Sequence, residues 1–176
     1  ALFIYFVYSS SLQYNLSETA KLFLPLLLIV VIPISAWIYW NVRKGNYSNM
    51  DVSNRKQRKS LYFFIAATLF LFLFYDYFFN ENIDLIVTFL LLLLLLMQLS
   101  NYFVKSSMHT AFNIFVAALF FGLNSTLGII WFLIAVLVGV TRIILKRHTV
   151  IEVISGALIA LLVSFIYLYA NIQYQH

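Results

Sequence analysis

Six stretches of this chain, residues 20–40, 61–79, 84–104, 109–123, 127–145 and 149–170, are apolar almost throughout, and this pattern narrows the possible folds more than any motif. A helix needs roughly 20 apolar residues to cross a hydrocarbon core. Inside that core every backbone N–H and C=O must be satisfied by the protein itself, so only helices and closed barrels span it. A barrel would require alternating apolar and polar residues and frequent turns. The chain instead has unbroken apolar runs with Gly 5 and Pro 2. We therefore expect an all-α integral membrane bundle of six transmembrane helices, with a partial extra segment at the N-terminus. That segment, residues 1–8, is too short to span and lacks the basic start of a signal peptide, so it reads as the tail of a truncated or processed segment. The expected organisation is residues 1–19 as partial segment and loop, 20–172 as the membrane domain and 173–176 as a polar tail.

With 64% hydrophobic residues, ionisable groups are few: eleven Lys and Arg, six Asp and Glu, three His. Charge is costly in hydrocarbon, so a charged group near a span is a functional candidate by default. Cys 0 excludes a disulfide framework, a thiolate metal site and a cysteine nucleophile. Pro25 and Pro33 are expected to bend the first span. Residues 41–60 form the one long polar connection, carrying Arg43, Lys44, Asp51, Arg55, Lys56, Arg58 and Lys59. Taken alone, such a loop is a topology signal or a contact to anionic lipid. Asp76 reads as a solvated helix end, and Gln98, Asn101 and Asn113 as hydrogen bonds between helices. His176 carries no implication.

If all six segments cross, parity returns the chain to the side of the basic loop at residues 105–109 and again at 141–148. Three polar clusters then share one face. His148 and Glu152 are four residues apart at the start of the last span, on one helical face and within reach of each other. A carboxylate on one imidazole nitrogen fixes the tautomer and leaves the other nitrogen as nucleophile or base. Arg142, six residues before His148, lies on a different helical face and converges with it only across a turn. Arginine suits phosphate because its planar fork donates two parallel charge-assisted bonds, and Arg55 and Arg58, three apart, offer a second pair. Ser107 adds a hydroxyl. A helix starting near Ser106 would add N–H groups that favour an anion, with His109 beside them to protonate a leaving oxygen. Two histidines and one carboxylate could hold zinc, but the surrounding cations argue for an anionic ligand and no metal.

The run from Arg142 through His148 to Glu152, together with Ser107-Met108-His109 and the basic loop ending at Arg58, resembles the three-part signature of the type 2 phosphatidic acid phosphatase superfamily. This superfamily contains membrane lipid phosphatases and vanadium haloperoxidases. Its usual motifs are Lys-x6-Arg-Pro, Pro-Ser-Gly-His and Ser-Arg-x5-His-x3-Asp. The resemblance implies His148 as nucleophile, Glu152 as its orienting acid and His109 as general acid. It implies Arg142, Arg58 and Ser107 as phosphate ligands, and no cofactor. Asp51 stands where the signature Lys is expected, and Arg55 is the substitute cation. Lys59, Ser106, Met108, Thr141 and Glu152 also depart from the pattern.

The implied function is metal-independent hydrolysis of a lipid phosphate or pyrophosphate through a phosphohistidine. The implied partners are the membrane and a lipid substrate within it, with no nucleic acid. A catalytically silent relative that binds anionic lipid or assembles with partners is the alternative. A transporter fits less well, because hardly any charge falls within the spans. A bacterial inner membrane is the expected location. Ten of the eleven basic residues fall on the motif face, which a literal positive-inside count puts in the cytoplasm. The resemblance suggests the opposite side, and the orientation stays open.

Overall fold

The structure is a computed structural model that describes residues 2–11, 15–52 and 54–175. His176 lies outside the described residues. The described residues form helices joined by turns, with no strand. They are α1 (Leu2–Ser11), α2 (Leu16–Leu26), a π turn (Leu27–Val31), α3 (Ile32–Arg43), α4 (Arg55–Asn80), α5 (Leu85–Ser100), α6 (Met108–Leu123), α7 (Ser125–Ile144) and α8 (Val150–Gln175). Four helical stretches are long and apolar enough to cross a membrane: Leu16–Arg43, Arg55–Asn80, Ser125–Ile144 and Val150–Gln173. Leu85–Ser100 and Met108–Leu123 are apolar but shorter, with 16 residues each. At 1.5 Å per residue such a helix is about 24 Å long, less than a hydrocarbon core of about 30 Å. The segment expected at 84–104 loses residues 101–104 to a turn. Where six spans are expected, the described residues give four long apolar helices and two shorter ones.

The chain divides into two compact units, residues 1–91 and 92–176. In the first, α2, the π turn and α3 form one continuous helix of 28 residues. Pro25 lies inside α2 and Pro33 opens α3, and neither ring nitrogen can donate to the preceding turn. Between them Ile32 N–H reaches back to the Leu27 carbonyl, the wider spacing of a π turn. The prolines are therefore absorbed by a local change of helical pitch. The helix α4 buries one stripe, Arg58, Leu61, Tyr62, Thr68, Leu69, Phe72 and Asp76, at intervals of one and two helical turns. Trp37 of α3 stacks on Phe64 of α4 with ring centroids 4.3 Å apart. The loop between these helices is folded around Tyr47 and Val52, which pack on Leu61, Ile38, Val42 and Ile65.

The short helix α1 packs on α2 through an edge-to-face contact of Tyr5 with Phe23. It is also held by Tyr8, buried, whose hydroxyl donates to Asp84 Oδ2. Asp84 caps α5 by accepting from Val87 N–H at 2.8 Å, while Asp76 accepts from the Asp84 N–H at 2.9 Å and from Asn80 Nδ2 at 2.7 Å. Asp76 is only 4% exposed, so the expectation of a solvated helix end is corrected: its carboxylate closes the α4–α5 turn.

In the second unit α6 is the central helix, packed on both α7 and α8, which touch each other little. It buries Thr110, Ala111, Ile114, Phe115, Ala117, Ala118, Leu119 and Phe120. Small residues permit the close approach: a Cβ on Gly128 of α7 would lie 2.6 Å from the Phe121 backbone.

Candidate functional site

The second unit brings five of the candidate residues to one end, and backbone geometry explains how. The helix α7 ends in a Schellman motif: Lys146 N–H bonds to the Ile143 carbonyl at 2.9 Å and Arg147 N–H to the Arg142 carbonyl at 3.0 Å. Lys146 holds the left-handed conformation (φ 52°) that glycine usually supplies there. His148 N–H also reaches the Arg142 carbonyl, at 3.2 Å. The reversal carries His148 back beside the arginine six residues earlier, across the expected turn.

The next three residues restart the helix. Thr149 Oγ1 accepts from Glu152 N–H at 3.3 Å, and Glu152 Oε2 accepts from Thr149 N–H at 3.0 Å, the reciprocal pair of a capping box. The same Oε2 lies 2.9 Å from His148 Nδ1. His148 is buried and Glu152 mostly so. Because the carboxylate accepts, the proton is assigned to Nδ1, and Nε2 then carries the ring lone pair.

Glu152 also ties in the other motif through its main chain. Its carbonyl accepts from Ser107 N–H at 2.8 Å and from Ser155 Oγ at 3.2 Å. Ser155 Oγ meets Ser106 Oγ at 2.7 Å, and Ser106 Oγ meets Ser100 Oγ at 2.5 Å. This contact requires Gly156: a Cβ there would stand 2.7 Å from the Ser107 carbonyl oxygen and 3.1 Å from its nitrogen. Ser107 is fully buried and caps α6, accepting from Thr110 N–H at 3.5 Å and from Thr110 Oγ1 at 3.0 Å. Its hydroxyl is committed to the helix start, two residues before half-buried His109. Asn113 Nδ2 donates to the His109 carbonyl at 2.8 Å, so its bond lies within α6 and not between helices as expected. One acidic residue thus orients His148 with its side chain and anchors the entrance to the His109 helix with its backbone.

Arg55 and Arg58 belong to the first unit, in the opening turns of α4, where Asn54 accepts from Lys56 N–H as N-cap. Arg55 is exposed. Arg58 is 3% exposed and its Nε donates to the Val52 carbonyl at 3.1 Å, fastening the folded loop. Among the described residues no group of three His, Asp or Glu is arranged to hold a metal ion. Ser155, Gly156, Thr149 and Lys146 support the site without standing out in the sequence. The signals were a Thr-x-x-Glu at the helix start and a glycine one turn after Glu152.

Comparison with family models, with curated proteins and with solved structures finds no match. The chemistry of the cluster is therefore read from its own geometry. It holds an imidazole with its tautomer fixed by a pinned carboxylate, a second imidazole at a helix N-terminus and a guanidinium in the last turn of α7.

Proposed function

We propose that the chain is a membrane-embedded, metal-independent phosphatase acting on a lipid phosphate or pyrophosphate, a divergent member of the type 2 phosphatidic acid phosphatase superfamily. The observation that carries the reading is the 2.9 Å contact of His148 Nδ1 with a Glu152 carboxylate already held by its capping box. In this mechanism the Nε2 lone pair attacks phosphorus while the bond to the lipid oxygen breaks, and His109 gives that oxygen a proton. Water then cleaves the phosphohistidine and phosphate leaves. Arg142 balances charge on the equatorial oxygens. The reading includes six crossings of a bacterial inner membrane, the two short apolar helices among them.

A second reading, a catalytically silent relative that binds anionic lipid, draws on two observations. The Ser107 hydroxyl serves the α6 cap, and Arg58 Nε serves the Val52 carbonyl. The discriminating experiment is phosphate release by the purified chain from phosphatidate, phosphatidylglycerol phosphate and polyprenyl pyrophosphate. The phosphatase reading requires turnover of one of these, inhibition by vanadate and loss in His148→Ala. No turnover of any of the three supports the silent relative.

A further inference from the structure

Away from the histidine cluster, α7 and α8 leave a cleft of about 500 Å³ between them, floored by α6. Its walls are apolar, among them Ile114, Ala118, Phe132 and Leu161, with one polar exception, Ser164. A dry apolar cavity of about 150 Å³ accommodates benzene, so this cleft has room for a chain on the order of a dozen carbon atoms or more. Rim residues Ile129 and Phe165 are exposed, which leaves the cleft open from the side.

Ser164 is the telling group. It is 5% exposed, and its buried hydroxyl makes no hydrogen bond. Several helical hydroxyls among the described residues turn back to a carbonyl one turn earlier, among them Thr19 to Asn15, Ser35 to Val31 and Thr88 to Asp84, each at 2.8 Å. Ser164 forgoes that bond and lines the cleft instead. A buried hydroxyl without a partner is costly, and an occupant bringing one oxygen would remove the cost. Twelve residues beyond Glu152, Ser164 lies about 18 Å along α8 from the polar end, too deep for a lipid headgroup.

We propose that this cleft is a binding site for a long-chain alcohol, its hydrocarbon chain lying between α7 and α8 and its hydroxyl paired with Ser164. The site stands apart from the proposed hydrolysis and does not depend on it. The test uses the full chain in phosphatidylcholine nanodiscs and a hexadecanol probe carrying a mid-chain diazirine, with adducts mapped by mass spectrometry. Saturable labelling within residues 114–132 and 161–168, competed by hexadecanol and not by hexadecane, is expected. Ile129→Trp, a change at the exposed rim, lowers labelling severalfold. Ser164→Ala weakens hexadecanol competition by about three- to tenfold, the worth of one neutral hydrogen bond. Labelling spread evenly along the exposed faces of α7 and α8 and indifferent to Ile129→Trp overturns the proposal, as does unchanged affinity in Ser164→Ala. Disulfide-linked dimers of Phe165→Cys, in a chain with no other cysteine, also overturn it, by assigning the cleft to a second copy. None of these readouts involves phosphate release.

Discussion

Replacing Gly156 by Ala tests how α8 and the start of α6 are joined, and the structure sets the size of the effect. The added Cβ would meet backbone, Ser107 O at 2.7 Å and Ser107 N at 3.1 Å, so no side-chain rotation relieves it. Moving Ser107 away strains the cap of α6 and breaks the 2.8 Å bond to the Glu152 carbonyl. Overpacking of this kind costs about 1–3 kcal/mol and the lost bond about 0.5–1.5 kcal/mol. The helix propensity of Ala returns up to about 1 kcal/mol. The net expectation is a loss of about 2 kcal/mol. Gly122→Ala is the matched control, because its Cβ would meet Asn171 Nδ2 at an ordinary 3.5 Å. There only the propensity gain remains, so the two variants should differ by about 3 kcal/mol with opposite signs. Equilibrium unfolding in mixed micelles, followed by helical circular dichroism, measures both. Equal shifts, within about 0.5 kcal/mol, refute the claim that Gly156 exists to admit the Ser107 backbone.

Lys146→Gly removes the cost of a side chain in the left-handed conformation and should raise stability by about 1 kcal/mol, read from the same unfolding curve. Glu152→Gln keeps a capping-box residue but removes the carboxylate from His148. Folding should change little, while phosphate release falls about tenfold to a hundredfold, a split that a purely structural glutamate would not give. Tyr8→Phe deprives Asp84 of its hydroxyl donor and should lower stability by about 1–2 kcal/mol and speed proteolysis within α1, as limited digestion would report.

The long apolar runs made the helices legible, because hydrocarbon permits little else at that length. Their ends were less so. The helix α4 begins at Arg55, six residues before its apolar run, because Asn54 caps it there and Arg58 is drawn inward to the Val52 carbonyl. Asp76 looked like a surface residue from its place near the end of a span. Its burial depends on the Asp84 N–H eight residues later, a partner that helical periodicity does not reveal. At the site, the His148–Glu152 spacing was readable as one helical face, yet the Thr149 capping box that pins the same carboxylate went unread. The convergence of Arg142 with His148 required a turn, and nothing in Leu145-Lys146-Arg147 announced a left-handed residue where glycine is usual. Ser107 was read for its hydroxyl, whereas its N–H makes the long-range bond, which depends on an absent side chain at Gly156.

The most direct measurement is capture of the phosphoryl group itself. Purified protein mixed with a radiolabelled lipid phosphate, quenched in base and digested, should yield an acid-labile adduct on the peptide containing His148. Neither His148→Ala nor a vanadate-treated sample should yield it. Phosphate release that proceeds at the same rate in His148→Ala, or an adduct on any other residue, would contradict the assignment of His148 as the nucleophile.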